Sequence, residues 1–362
     1  MATESEIAAA ALAALPGATS KRLHRLWHDH GDPFTAFTAV REGRTGDEHW
    51  AEFRSTDSWP QRARPESIGA LLERRRSRVL YPGGPEWPFA DDVEDAPAIL
   101  FTEGACPEAL RQGSVSIVGT RAASPHGLTD AHDIAHVAAR AGWTVVSGLA
   151  IGIDAAAHRG AIAAGGLTVG VVATGLDVVY PRRHTDLFAQ VRERGLVVGE
   201  YAYGTRPDAW RFPVRNRIIA ALGAVCVVVE AQATGGALIT ANLAAALNRP
   251  VLAMPGSRRN PAAAGTNELL RDGASPLLDP SDLFVALELA TAKQLPSLWQ
   301  HDRAVAMSSR AATVLRACGG ESATLDRIQA ACGLSVAEVS GALRELERIA
   351  KIERKHGKYW PK

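Results

Sequence analysis

The segment Val115-Ser116-Ile117-Val118-Gly119-Thr120-Arg121 decides the fold, because it joins a short, mostly apolar run to small and basic residues. It opens a series of six such runs, whose first residues lie 24 to 29 residues apart: Val115–Val118, Thr144–Val146, Thr168–Ala173, Leu196–Val198, Val225–Val229 and Val251–Met254. Ala-rich helical stretches separate most of these runs. Strands without polar alternation are typical of a parallel sheet buried on both faces. The pattern therefore predicts an α/β fold, a doubly wound and mostly parallel Rossmann-like sheet.

A helical module is predicted ahead of this sheet, over residues 1–78. Helical apolar spacing covers four segments: Ile7–Leu15, Lys21–His30, Phe34–Val40 and Ile68–Arg76. The module is of the SAM or helical-hairpin type, since the turn Leu15-Pro16-Gly17 resembles one that binds DNA backbones. Ala18 and Thr19 follow it where a second Gly is usual, and residues 1–112 carry a net charge of −5. We therefore expect the module to contact protein rather than DNA.

The C-terminal part has a different pattern. Residues 281–308 are interpreted as a helical linker, Leu283–Leu289, followed by a polar stretch. The amphipathic segments Ala323–Cys332 and Val336–Ile349 precede a basic hairpin at 351–360, an order that predicts a winged helix. We expect a Rossmann-like domain at 79–290 that includes a Pro/Gly-rich entry segment, a linker at 291–308 and a winged helix at 309–362.

Composition limits the protein class. The 362 residues carry 40 Lys+Arg and 39 Asp+Glu, a net charge of +1, which argues against a polybasic protein. The charge is uneven, at +3 over residues 113–280 and +5 over residues 303–362. No apolar run is long enough to span a membrane, and the acidic N-terminus is a poor signal peptide. The four cysteines are scattered without a CxxC pair, so we expect a cytoplasmic protein without metal sites.

The sequence lacks the motifs of common nucleotide sites. No GxGxxG follows the first run, and neither a P-loop nor a GxSxG elbow occurs. The central domain has no lysine. His158 follows Asp154 by one helical turn, and we interpret the pair as structural because no nucleophile lies beside it. We therefore expect no cofactor and no enzymatic activity.

Small and basic residues follow nearly every predicted strand, where parallel sheets bind their ligands. Glycine amides and helix N-termini at that edge are suited to phosphate. The predicted contacts there are Gly119, Thr120, Arg121, Ser147, Gly148, Gly175, Arg182, Arg183, Gly235, Gly236, Pro255 and Gly256.

A second cluster opens a predicted helix: Arg211, Phe212, Arg215, Asn216 and Arg217. Cations at a helix N-terminus are unfavourable unless an anion binds there. Phe212 is available for base stacking, so the cluster favours single-stranded nucleic acid as the ligand.

Several blocks together resemble the DNA-processing protein A family (DprA, also called Smf). They are Ser116–Arg121, Ser147–His158, Gly175-Leu176-Asp177 with Tyr180-Pro181, Phe212-Pro213 with Arg215–Ile219, and Leu238–Ala241 with Pro255-Gly256. The spacing is similar across about 80–280, and the order of helical module, Rossmann-like domain and winged helix is the same. Two positions depart from the family: His184 stands where Asn is usual, and Thr234–Ala237 where Ser-Gly-Ser is usual.

The resemblance implies a non-enzymatic protein that binds single-stranded DNA during natural transformation and loads a RecA-type recombinase onto it. It also implies a homodimer formed through the Rossmann-like domain. By position, the best DNA contacts are Arg121 and the block Arg215-Asn216-Arg217, with further positive charge from Arg182 or Arg183. The dimer surface, the recombinase surface, the role of the winged helix and the competence of the host stay open.

Two alternatives remain. Pro255-Gly256 with Gly265-Thr266-Asn267-Glu268 distantly resembles the signature of nucleoside-monophosphate phosphoribohydrolases, but eight residues separate its halves and should carry Glu268 away. The other is a transcription regulator whose winged helix reads duplex DNA. The mildly acidic segment Val336–Ile349, the candidate recognition helix, argues against that reading.

Overall fold

The computed structural model describes residues 2–90, 93, 95–292, 309–318, 323–335, 338, 339, 341–343, 346, 352–355 and 358–361. The chain divides into two compact units, Met1–Lys293 and Gln294–Lys362. Among the described helices, none has the length and apolar character needed to cross a membrane.

A nine-stranded sheet forms the centre of the first unit. Its strands are β1 (Arg78–Leu80), β2 (Leu100–Glu103), β3 (Ser114–Val118), β4 (Thr144–Ser147), β5 (Thr168–Val171), β6 (Gly195–Gly199), β7 (Val225–Val228), β8 (Val251–Ala253) and β9 (Ser275–Pro276). They lie in the order β1-β2-β6-β5-β4-β3-β7-β8-β9. The seven neighbouring strands β6-β5-β4-β3-β7-β8-β9 are parallel to one another. The other two, β1 and β2, form an antiparallel edge next to β6. The predicted doubly wound, mostly parallel Rossmann-like fold is confirmed.

Helices cover both faces of the sheet. The first unit contains α1 (Glu4–Ala13), α2 (Ser20–His30), α3 (Pro33–Glu42), α4 (Pro65–Arg75), α5 (Pro125–Arg140), α6 (Ile153–Ala163), α7 (Thr185–Arg194), α8 (Arg211–Leu222), α9 (Gly236–Ala246), α10 (Ala264–Arg271) and α11 (Pro280–Ala292). Val115 and Ile117 of β3 pack with α5, α6 and α11, while Val118 packs with α8 and α9. Alternate residues of a strand point to opposite faces, so the unbroken apolar runs are explained by two buried faces.

The N-terminal helices pack against the rest of the first unit. The Trp27 indole donates to the Ala98 carbonyl at 2.8 Å, and the Ser20 hydroxyl accepts from the Ala98 amide at 3.1 Å. Glu6 is buried and accepts from Arg78 at 2.6 Å. Glu6 also closes a capping box with Thr3 at the start of α1. These contacts join the N-terminal helices to the sheet of the same unit, and the expectation that the module contacts protein rather than DNA stays a prediction.

The prediction of a linker over residues 281–308 is wrong for its first part. Leu283 and Leu287 of α11 are fully buried and belong to the same core as Val115 and Val225. Their spacing of four residues places both side chains on the face that covers the sheet. Residues 293–308 lie outside the described residues.

The second unit contains α12 (Ser309–Ala317), α13 (Leu325–Cys332) and a hairpin of β10 (Ile352–Lys355) and β11 (Lys358–Pro361). Thr324 accepts from the Arg327 amide, which explains why α13 begins at Leu325. Val314, Ile328, Leu343 and Ile352 share its core. The predicted helix Val336–Ile349 lies partly outside the described residues. Gly357 of the predicted hairpin lies outside them.

Candidate nucleic-acid interface

A cavity of about 900 Å³ lies beyond the carboxyl ends of β3 and β7. These two strands are neighbours in the sheet although four crossovers separate them in sequence, so strand order reverses between them. Open α/β sheets bind ligands in the crevice at such a switch point. Gly119–Arg121 after β3, the loop and helix start from Gln232 to Thr240, and residues around Phe212 line the cavity.

Arg121 and two aromatic rings form one wall. The Arg121 guanidinium carbon lies 5.3 Å from the centroid of the Phe212 ring, and the Tyr180 ring lies 5.4 Å from that of Phe212. Arg121 is exposed, and no carboxylate among the described residues pairs with it. A guanidinium stacked on a ring keeps its N–H edge free for a phosphate, so the wall offers both a cation and a stacking surface.

Two buried ionisable side chains, Arg215 and Asp154, lie at the floor of the cavity and interact electrostatically. Arg215 donates to the carbonyls of Gly148, at 2.8 Å, and of Val171. Asp154 accepts from the amides of Gly148 and Ala150 at 3.1 and 3.4 Å. Burial lowers the pKa of Arg215 to about 10, which leaves it cationic at neutral pH. Burial also raises the pKa of Asp154, and the nearby Arg215 opposes that rise.

Gly148 is required by this pair. A Cβ at this position would lie 2.7 Å from Asp154 Oδ2 and 2.8 Å from Arg215 Nη2. Any larger residue would separate the guanidinium from the end of β4. The position of Gly148 makes room for Asp154 and Arg215, and its predicted DNA contact stays a prediction.

One internal carboxylate accepts hydrogen bonds at the start of α5, and another accepts them from the turn before α6. At α5 the Glu230 carboxylate accepts from the Ser124 amide at 2.8 Å and from its hydroxyl at 2.6 Å. Asp154 occupies the turn before α6 in the same way. Neither α6 nor α9 has a side-chain cap among the described residues, but Gly235 and Gly236 at the start of α9 are exposed in the cavity. The Glu230 carboxylate therefore occupies the position at the start of α5 where a dinucleotide phosphate would bind. The first backbone amides of α9 remain open to an anion.

The cavity brings together eight of the predicted contacts: Gly119, Thr120, Arg121, Phe212, Arg215, Asn216, Gly235 and Gly236. Asn216 donates to the Gly236 carbonyl at 3.0 Å and so joins α8 to the start of α9. Sequence reasoning missed Gln232 and Asn242, which also line the cavity. Their signal is weak, since both are uncharged polar residues, Gln232 shortly after a predicted strand and Asn242 in the middle of α9.

Three of the other predicted contacts already make hydrogen bonds within the chain. Arg217 is buried and makes two hydrogen bonds to the Glu200 carboxylate, at 2.6 and 3.0 Å. Its Nε lies 3.4 Å from Asp95. The buried Ser147 hydroxyl donates to the Ile117 carbonyl at 2.6 Å, and Arg211 donates to the Arg206 carbonyl. The DNA contact of each stays a prediction.

The remaining predicted contacts lie outside the cavity lining. Arg182 and Arg183 are exposed on the turn after Tyr180-Pro181, and Gly175 is buried. Pro255 and Gly256 are exposed after β8, and Gly256 exchanges two hydrogen bonds with Asn267, at 3.1 and 3.0 Å. Asn267 of the second half therefore contacts the first half, whereas the expectation that the intervening residues carry Glu268 away from Pro255-Gly256 stays a prediction. Glu268 itself is exposed, pairs with Arg271 at 3.6 Å and does not line the cavity.

His158 is structural. It is fully buried, its Nδ1 lies 2.7 Å from the Thr168 hydroxyl, and burial lowers the pKa of His158 to about 3. The imidazole is therefore neutral at neutral pH and does not act as a cation in the cavity. His184 is also buried, with its Nδ1 3.0 Å from the Leu149 carbonyl.

The fold, the cavity at the switch point and the C-terminal helical unit define a class of two-part proteins with a Rossmann-like domain and a winged helix. The sequence matches the family model described as DNA recombination-mediator protein A over residues 78–288 and the DprA winged helix domain over residues 301–358. The chain belongs to this DprA/Smf family.

Individual relatives agree with that assignment. The chain is 36% identical over 348 residues to a putative DNA processing protein DprA of Mycobacterium tuberculosis, which covers 90% of this chain and 87% of the relative. It is 34% identical over 273 residues to protein Smf of Escherichia coli, covering 73% and 72%. The structure of DNA processing protein A from Streptococcus pneumoniae matches with a TM-score of 0.63 and 28% identity, covering 78% of this chain and 97% of that one. DNA processing protein A from Helicobacter pylori, whose single-stranded DNA binding mode was the subject of its structure, matches at 25% identity, with a TM-score of 0.53 and coverage of 60% and 97%.

The buried His158 predicts a pH dependence of stability. The folded pKa of about 3 lies below the ordinary value of 6.5, so below pH 6.5 the unfolded chain binds a proton that the folded chain does not. Stability from this residue is complete above about pH 6.5 and is lost as pH falls towards 3. Between pH 6.5 and 5 the loss is about 2 kcal/mol.

We expect His158→Gln to remove that part of the pH slope of the free energy of unfolding, measured by denaturant titration at several pH values. His28→Gln is the matched control, since the His28 side chain is 89% exposed and should leave the slope unchanged. An unchanged slope in His158→Gln would contradict the prediction.

Proposed function

We propose that this protein binds single-stranded DNA without sequence preference in the cavity between β3 and β7. The observation that carries the proposal is the wall formed by Arg121, Phe212 and Tyr180, which faces the uncapped start of α9. Single-strand binding combines cationic groups that hold phosphates with aromatic rings on which bases stack. A stacking ring accepts every base, so such a site tolerates sequence.

The proposed DNA contacts divide into three kinds. Arg121 holds a phosphate, the amides at Gly235 and Gly236 receive another, and Phe212 with Tyr180 stacks a base. The Arg215 charge beneath the cavity adds a positive field without contacting the strand. Each contact binds or orients, and the proposal is of a binding protein rather than an enzyme.

We further propose that the bound strand is passed to a RecA-type recombinase during natural transformation, in the cytoplasm. The family description as a recombination mediator supports this role. A cavity that holds a few nucleotides and leaves the flanking strand free would let a recombinase assemble beside it. The winged helix is proposed as an auxiliary DNA contact or a protein-docking domain.

The Rossmann-like domain is also proposed to form a homodimer. Three large apolar side chains near the β9 edge of the sheet are exposed: Leu278 at 72%, Val285 at 56% and Leu289 at 60%. Burial of these side chains against a second copy of the chain would stabilise a symmetric interface.

For the DNA site, we expect Arg121→Ala to weaken binding of a fluorescent oligothymidine and to lower the salt slope by about 0.7, the value of one lost phosphate contact on a single strand. Arg41→Ala is the charge-matched control, since Arg41 is exposed on the N-terminal module. Titrations at several salt concentrations measure both quantities. Equal slopes for Arg121→Ala, Arg41→Ala and the parent would exclude the proposed contact.

For recombinase loading, we expect the parent to accelerate the single-strand-dependent ATPase of a RecA-type recombinase on DNA already covered by a single-strand-binding protein. Arg121→Ala should show less acceleration at the same concentration, because less of it is bound to the strand. A parent that binds the strand but leaves the ATPase lag unchanged would contradict the loading role alone.

For the dimer, we expect Leu289→Glu to convert a dimer into a monomer in light scattering, because each interface would bury two carboxylates without partners. Leu128→Glu, at a 39% exposed position on α5, is the control. A parent that is monomeric at all concentrations would contradict the proposal.

A further inference from the structure

A second aromatic cluster lies at the rim of the cavity. Trp210 directly precedes α8 and is 55% exposed. The Arg211 guanidinium carbon lies 4.9 Å from the centroid of the Trp210 ring and 5.3 Å from that of the Tyr201 ring. Tyr201 meets Trp210 edge to face, with their centroids 6.4 Å apart. We call Trp210, Arg211 and Tyr201 the rim cluster.

The indole is held in place. Trp210 Nε1 donates to Asp208 Oδ2 at 2.7 Å, and Arg211 is anchored by a hydrogen bond of 2.6 Å to the Arg206 carbonyl. A ring fixed by its edge and supported by a guanidinium needs little reorganisation to accept a ligand on its exposed surface. The Trp210 indole is not buried in the core of the first unit. Its hydrogen bond to Asp208 therefore fixes a ring that faces solvent.

Position links the rim cluster to the cavity. Pro207, Asp208 and Ala209 line the cavity immediately before Trp210, and Phe212 lines it two residues later. Successive residues at the start of a helix point in different directions, so Phe212 faces Arg121 while Trp210 lies with Tyr201. Tyr180 and Ile239, two other exposed apolar side chains, line the same cavity. Exposed apolar side chains therefore line the cavity, and Trp210 adjoins the segment that lines it.

Charge favours a nucleic-acid strand there. Arg211 supports the ring, and the exposed Arg206 lies four residues before Trp210. The single carboxylate of the segment, Asp208, is engaged by the indole N–H. An aromatic ring with flanking arginines is the arrangement on which single strands stack their bases.

We propose that the rim cluster is a second base platform, on which a nucleotide stacks after the strand leaves the cavity. This inference rests on the proposed function, since it extends the path of the same strand. It divides the binding site into an inner part at Phe212 and an outer part at Trp210, which only longer oligonucleotides reach.

The test compares Trp210→Ala, Trp210→Phe and the parent in their affinity for oligothymidines of increasing length. Short oligonucleotides should bind all three proteins equally, because they fill only the cavity. Beyond a threshold length the affinity of Trp210→Ala should fall below the parent by about 5- to 100-fold, as expected for the loss of one stacked base. Trp210→Phe should recover most of that loss because it keeps a ring. Phe34→Ala, at a 43% exposed aromatic position on α3, is the matched control.

The outcomes separate the two proposals. Parent-like affinity of Trp210→Ala at every length would overturn the second platform and leave DNA binding in the cavity intact. An equal loss at all lengths, or one that Trp210→Phe does not reverse, would also overturn it, since both indicate a structural role. A parent that binds no oligothymidine of any length would overturn the proposed function and the platform together.

Discussion

The buried Arg215 guanidinium is the constraint on which the candidate site depends. It reaches from α8 to the carbonyl after β4 and to the one that ends β5, and the nearby Asp154 at the start of α6 interacts favourably with its charge. One side chain thereby fixes two strand ends and two helices relative to each other. A buried cation without these partners would be strongly unfavourable, so the strand ends and α8 must be positioned together. Phe212 lies one helical turn before Arg215, and its position follows from the same anchor.

Internal carboxylates then determine which parts of the sheet edge remain open. Glu230 fills the start of α5, Asp154 fills the turn before α6, and Glu200 neutralises Arg217. The remaining cation of the wall is Arg121, and α9 presents an uncapped helix start with exposed glycines to the cavity. The near-zero net charge of the chain is thus compatible with a focused anion site, because most charges in this region satisfy one another and Arg121 is left facing solvent.

Local pattern predicted the elements of the sheet well, because six apolar runs of similar spacing leave few other folds. It did not predict β1 and β2, which are short and lie beside a Pro/Gly-rich connection, nor the placement of α11 in the core. The roles of the site residues were harder to predict from the sequence, because the role of each arginine depends on partners distant in sequence. Arg121 and Arg217 have equivalent chemistry in the sequence, yet only the folded chain brings Glu200 to Arg217 and Phe212 to Arg121. For the same reason eight predicted contacts line the cavity and the others lie beneath or beside it.

The carboxylate of Glu230 at the start of α5 has a consequence for competition in the cell. Free mononucleotides are abundant anions, and each can satisfy one phosphate position at a time. With the start of α5 closed from within, a monomer would gain little from this surface. A polymer would engage several weak positions in succession, and each engaged position raises the effective concentration of the next. Under the proposed function, the carboxylate at α5 would therefore favour a chain over its building blocks.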